Sequence, residues 1–225
     1  MENSFSEKES LDLIKQMINT AKNNLQHGIG NIFLLWGYLV SAISLVNFIL
    51  LLVLPPDQKY NSYVIWCLMA FGAPVHIRLI RKMENQQNVI TYVDKIMSYV
   101  WIAFTVSIMT VIFSMIFSAI LVLPAFTVVE QGHEFLRWFQ WLFVTPIMLC
   151  LYGFALFISG KAYQYKPLAI GGIICWIASA FLIIAIHHPH ILYIQQAVLT
   201  ISALCGFVIP GHLLNQKEKS HVQGT

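Results

Sequence analysis

The sequence predicts an all-α polytopic membrane protein, with six transmembrane helices preceded by a cytoplasmic amphipathic helix. Three observations carry this reading. Of the 225 residues, 58% are hydrophobic and only 10% charged, whereas a soluble domain carries about 25% charged residues. Mean hydropathy is +0.70. The apolar residues fall in blocks of about 20, the length a helix needs to cross a ~30 Å hydrocarbon core, and short charged clusters separate them.

Residues 1–30 form the first unit. Ser6 and Glu9 fit a capping box, in which the hydroxyl takes the amide of residue 9 and the carboxylate reaches back to the amide of residue 6. Leu11, Ile14, Ile18, Ala21 and Leu25 then recur at helical spacing, and Asp12, Lys15, Gln16, Asn19 and Asn23 occupy the other side. Gly28 and Gly30 break this helix before the membrane. Four acids (Glu2, Glu7, Glu9, Asp12) nearly balance three lysines (Lys8, Lys15, Lys22), so the segment is not a polybasic lipid-binding motif. It reads either as a helix lying on the membrane or as a docking helix for a cytosolic protein.

The bundle occupies residues 31–214. Span 1 covers about 32–54 and ends at Pro55-Pro56. Span 2 covers about 62–80, after the turn Asp57-Gln58-Lys59-Tyr60. Span 3 covers 96–123 and stops at Pro124; at ~1.5 Å per residue it exceeds the hydrocarbon core and must tilt or protrude. Span 4 covers about 138–159, with a kink expected at Pro146. Span 5 covers 168–186 and span 6 covers 191–209, joined by His187-His188-Pro189-His190. The turn between spans 4 and 5, with Tyr163 and Tyr165 between Lys161 and Lys166, marks the membrane surface. Residues 215–225 are expected to be a polar, disordered cytoplasmic tail. The first apolar run begins only near Ile32 and no small-residue cleavage site follows it, so span 1 is expected to be an uncleaved anchor.

Charge placement orients the bundle. With six spans both termini share one side. That side collects Lys8, Lys15, Lys22, Arg78, Arg81, Lys82, Lys95, Lys161, Lys166, Lys217 and Lys219, against Lys59 and Arg137 on the other. Both termini are therefore expected to be cytoplasmic. Cys67, Cys150, Cys175 and Cys205 all fall inside apolar blocks without a C-x-x-C, which reads as reduced packing residues.

Short motifs run along most of the chain: the opening Phe5-Ser-Glu-Lys-Glu-Ser-Leu11, Leu35-Trp36-Gly37, Lys166-Pro-Leu-Ala-Ile-Gly-Gly-Ile-Ile-Cys-Trp176 and Ile209-Pro-Gly-His-Leu-Leu214. In these the chain resembles a family of small six-span integral membrane proteins of Bacteroides-like bacteria with no assigned activity. The resemblance implies the same fold and residence in the bacterial inner membrane, and brings no substrate or site with it. An internal echo also runs through the sequence. Pro74-Val-His76 and Pro210-Gly-His212 both place Pro-x-His at the cytoplasmic mouth, as two copies of one hairpin would.

Chemistry-bearing residues are sparse. The middle of every span lacks Asp, Glu, Lys and Arg, which argues against an ion-coupled carrier, since such carriers bury a charge at mid-depth. Ser107, Ser114 and Ser118, with Thr110 close by, share one face of span 3 and suggest a polar pathway; interhelical hydrogen bonding is the plainer reading. Asn47, Thr145, Gln195, Gln196, Thr200 and Ser202 are among the further uncharged polar residues within spans. His133, His187, His188 and His190, with Glu130 and Glu134, lie on the outer side, where imidazole and carboxylate suit zinc or copper. Ordinary interfacial histidines would look the same. On the inner side, His76, His212 and Arg78 suggest an anion or headgroup site, or simple capping of helix ends. Gly153 and Gly160 lie seven apart on one helix face and suit close helix packing; Gly153…Gly160-Lys161 fails as a phosphate loop on spacing and context.

No Ser/His/Asp set, Cys/His pair or H-E-x-x-H is present, so the chain is expected not to be an enzyme and to need no cofactor. The leading expectation is a non-enzymatic membrane protein that binds or regulates a cytosolic partner through Leu11, Ile14 and Ile18. The first alternative is a small permease or channel subunit, a possible homo-oligomer, using Ser107, Ser114 and Ser118. The second is metal binding by the outer histidines. The lipid bilayer is the other expected partner, and nucleic acid is not one.

Overall fold

The computed structural model describes residues 11–12, 28–86, 92–117 and 141–223. Among these, every regular element is helical, and six helices are long and apolar enough to cross a membrane: Ile29–Val53, Asn61–Met83, Val93–Phe117, Val144–Ala162, Lys166–His187 and Ile191–Glu218. The chain is an all-α polytopic protein. Helices are what lipid demands, because each backbone group must find its partner within the segment.

The six spans are not equivalent. Spans 1, 4, 5 and 6 bury 39–50% of their apolar windows inside the protein, whereas span 2 buries 6% and span 3 none. Four spans therefore form the core and two lie outside it. Spans 4 and 5 make the tightest pair. A Cβ at Gly153 would lie 2.8 Å from the Gly172 carbonyl oxygen, and one at Gly160 would lie 2.3 Å from the Ala169 nitrogen. These positions thus require glycine, and the seven-residue spacing does seat the two helices face to face. Span 1 packs along span 6. An aromatic chain ties span 3 to this core: Phe33 meets Trp101 (5.8 Å) and Phe207 (6.3 Å), Trp101 meets Phe104 (5.3 Å), and Tyr152 meets both Phe104 and Phe207 (5.2 Å each).

Local structure departs from the expected boundaries in several places. Span 1 begins at Ile29, directly after Gly28, whose φ of 86° suits glycine. The second helix already starts in the expected turn: Pro56–Phe71 is wound as a 3-10 helix and Gly72–Gln86 continues it as an α-helix. Such a long 3-10 run is uncommon, and it occurs where little packing constrains the backbone. Pro146 sits in the first turn of the helix Val144–Ala162, where a missing N–H costs nothing, and the helical residues 141–142 before it are set off by a turn at Phe143. Span 6 does not end at Ile209. Leu204–Val208 forms one π turn, Ile209 N–H bonds the Leu204 carbonyl, and the helix resumes through Pro210 to Gln223. The wider turn admits a proline that a regular ladder would reject. The segment expected to be a disordered tail is therefore helical as far as Gln223.

The two ends of the bundle meet. Gly28 N–H donates to Glu218 Oε2 at 3.1 Å, and Asn215 Nδ2 donates to Asn31 Oδ1 at 2.7 Å. The start of span 1 and the far end of span 6 thus share one side. Cys67, Cys150, Cys175 and Cys205 are all free thiols.

Candidate functional site

Inside this core lies a seam of polar side chains between spans 1 and 6. Ser41, Ser44 and Asn47 recur every three residues along span 1 and all are buried. Gln195 and Gln196 open span 6 opposite them, each 1% exposed. The Ser44 hydroxyl is shared between the Gln196 carbonyl (2.8 Å) and its side-chain Oε1 (2.9 Å). Gln195 Nε2 donates to the Leu142 carbonyl at 2.6 Å, tying the seam to the approach to span 4. Ser41 is satisfied within its own helix by the Gly37 carbonyl at 2.7 Å.

Asn47 is different. It is fully buried, and neither Oδ1 nor Nδ2 has a hydrogen-bond partner among the described residues. Its position is set by the register around it. Ser44 reaches Gln196, and one turn beyond Asn47 the Leu51 carbonyl accepts from Tyr193 Oη at 3.3 Å. Antiparallel helices matched at 44/196 and 51/193 bring Asn47 opposite the stretch from Tyr193 to Gln196. A carboxamide offers two donors and two lone pairs. Leaving one unmade in the interior costs about 1–3 kcal/mol in proteins generally.

The end of the seam away from the termini is closed by Lys59 and Tyr193. Lys59 Nζ donates to Tyr193 Oη at 2.5 Å and lies 5.1 Å from the ring centroid. Phe48 and His190 pack on the same ring at 6.2 and 6.1 Å. A lysine in the turn before span 2 thereby anchors that peripheral span to span 6.

The residues singled out in the sequence fall elsewhere. On span 3, Ser107 is half-buried and Ser114 faces outward. Ser107, Thr110 and Ser114 each donate to the carbonyl four residues back (Ala103, Val106 and Thr110), so each hydroxyl proton is satisfied within its own helix. Ser107 borders an apolar groove of about 360 Å³ between spans 3 and 4, beside Tyr99, Phe104 and Phe154. Ser118 lies outside the described residues, as do Ile14, Ile18 and His133. Leu11 is helical and exposed. His187, His188 and His190 are all exposed. The His190 N–H donates to His188 Nδ1 at 3.2 Å, which occupies that ring nitrogen. Among the described residues no three His, Cys, Asp or Glu gather to hold a metal ion.

The inner histidines also separate. Trp36 Nε1 donates to His76 Nδ1 at 3.2 Å, and Tyr38 Oη meets His212 Nε2 at 2.6 Å. Residues two apart on a helix lie roughly 200° apart around its axis, so His76 and His212 flank span 1 on opposite sides and form no common anion site. The two Pro-x-His segments resemble each other in bonding to span 1, but one lies in a peripheral span and the other in the core.

Comparison with protein-family models, with curated proteins and with solved structures gives no match. Asn47, Gln195 and Gln196 stand among several uncharged polar residues in the sequence, and the three-residue recurrence of Ser41, Ser44 and Asn47 is a signal that could have set span 1 apart from the serines of span 3.

Proposed function

We propose that this chain is a non-enzymatic membrane protein that admits a small uncharged polar solute to the interior of its bundle, as a permease or channel subunit. The observation that carries this reading is the fully buried, unpartnered carboxamide of Asn47 within the seam of spans 1 and 6. An unmet amide in a lipid-embedded core is costly, and a polar solute that met it would offset that cost. The span interiors lack Asp, Glu, Lys and Arg, which favours an electroneutral solute over an ion-coupled one. The lysine and arginine asymmetry favours cytoplasmic termini, and the resemblance to six-span bacterial proteins favours the inner membrane. The test is stopped-flow light scattering on proteoliposomes challenged with water, urea, acetamide or glycerol. Flux of at least one solute well above that of empty vesicles is expected. Vesicles as tight as protein-free ones to all four would overturn the reading.

One observation favours a second function. The bonds from Gly28 to Glu218 and from Asn31 to Asn215 brace the start of span 1 against the end of span 6. Span 6 runs to about 42 Å at ~1.5 Å per residue, longer than the hydrocarbon core, and so projects on the side of the termini. A cytosolic protein engaging Leu11, Ile14 and Ile18 would meet a firm platform there. Co-purification of a stoichiometric partner, lost on Ile14→Asp with Ile18→Asp, is the expected result. Unchanged recovery would count against docking at this helix.

A further inference from the structure

We infer that the groove between spans 3 and 4 seats one acyl chain of an anionic phospholipid, whose phosphate is held by Lys95 and Lys161 at the membrane surface. Such a site is independent of solute passage through the bundle. Length, lining and charge point to it. The groove of about 360 Å³ runs from Ile96 to Ser107 along span 3 and from Ile158 to Leu151 along span 4. At ~1.5 Å per residue, the stretch from residue 96 to residue 107 rises about 16 Å. That is close to one leaflet, half of a ~30 Å hydrocarbon core. The lining is apolar over this length, and the Ser107 hydroxyl at its deep end donates to the Ala103 carbonyl of its own helix. A hydrocarbon chain meets its match in such a slot.

At the surface end of the groove, on the side of the termini, each wall carries a lysine. Lys95 lies four residues before Tyr99 on span 3, and Lys161 lies three after Ile158 on span 4, so each continues a stripe that lines the groove. Lys95, Tyr99 and Lys161 are all exposed. Lys161 Nζ lies 5.3 Å from the Phe157 ring centroid, a contact that leaves the ammonium its charge. The adjacent acid, Asp94, is buried and shares the core-facing stripe of Met97 and Trp101, away from the groove. Two cations over an apolar slot suit a lipid with a net negative headgroup, whereas a zwitterionic one brings a cation of its own. Tyr99 stands one turn inside Lys95, where an amphipathic ring favours the boundary between chain and headgroup.

The experiment reads lipid binding to the full chain in detergent by native mass spectrometry, with phosphatidylglycerol and phosphatidylcholine of identical acyl chains. Lys95→Gln with Lys161→Gln removes the headgroup contacts, and Ala103→Trp fills the groove. Arg81→Gln with Lys82→Gln removes two charges from the end of span 2 on the same side, as a control. All five side chains are exposed, so the fold should survive each change. One phosphatidylglycerol per wild-type chain is expected, bound in preference to phosphatidylcholine. The lysine pair should weaken it about tenfold or more, from roughly fivefold for each lysine near the surface. Ala103→Trp should weaken both lipids, and the control should leave the wild-type affinity. Equal binding of the two lipids by wild-type protein, or an unchanged affinity in the lysine pair, would overturn the inference. Equal losses in the lysine pair and the control would spread the attraction over the whole surface and overturn the site. A lipid-free dimer that Ala103→Trp splits would give the groove to a second copy of the chain instead.

Discussion

Trp36 and His76 share a hydrogen bond from indole Nε1–H to imidazole Nδ1 at 3.2 Å, with ring centroids 5.7 Å apart. The bond assigns a role to each nitrogen: Nδ1 accepts, so the neutral ring carries its proton on Nε2. It is also a polar tie between the peripheral second helix and span 1. Trp36→Phe keeps the ring and removes the donor. It should cost about 1 kcal/mol and lower the thermal midpoint by roughly 2–4 °C for a chain of this size. His76→Phe in the Trp36→Phe background should add little, because the two residues are coupled. Additive losses in a double-mutant cycle would show that the bond contributes nothing.

The hairpin of spans 4 and 5 should tolerate no side chain at its seam. Gly160→Leu places a branched chain where even a Cβ would lie 2.3 Å from Ala169 N. Overpacking of this kind costs typically 1–3 kcal/mol or more. Loss of the folded fraction in a detergent-denaturation series is expected, with Ile170→Leu, an outward-facing control, unaffected. Equal stability of the two variants would mean that the hairpin packs differently.

Span 3 offers the opposite test. Ser107 and Ser114 donate only to their own helix, and burial there is slight. Ser107→Leu and Ser114→Leu should each change stability by no more than about 0.5 kcal/mol and leave solute flux at the wild-type rate. A strong fall in flux would return the pathway to this face and away from Asn47.

The turn after span 4 predicts an alkaline response. Burial, assisted by the field of the Asp94 carboxylate, pushes the Tyr163 phenol up, and burial alone pushes up that of Tyr165. The fold therefore favours the protonated phenols. Their contribution should be whole below the ordinary tyrosine value of about 10 and decline as pH rises above it through the folded values. Ultraviolet titration of phenolate absorbance should show both ionising later than an exposed tyrosine, with Tyr163→Phe removing one late step. Ionisation of both near the ordinary value would contradict the packing of this turn.

Much of the fold was legible in the residues. Blocks such as 168–186 and 191–209 announce spans because lipid admits only segments that satisfy their own backbone, and the glycine pair at 153 and 160 announced its packing face. The ends of elements were less legible. Pro210 reads as a stop, yet the π turn Leu204–Val208 carries the helix past it, and the Asn215–Glu218 stretch is held as helix by bonds to residues near 30 that no local pattern discloses.

The sequence by itself determined that the chain is a six-span helical membrane protein, where each apolar block lies, and that the blocks carry no charge at their centres. Only the tertiary structure decided which polar residues face inward. A membrane helix is apolar on every side, so its sequence carries little record of which face meets protein and which meets lipid. Ser114 and Asn47 look alike in such a record. They differ because span 3 lies outside the core with its hydroxyls turned back on their own helix, while span 1 lies against span 6 and buries Asn47 without a hydrogen-bond partner among the described residues.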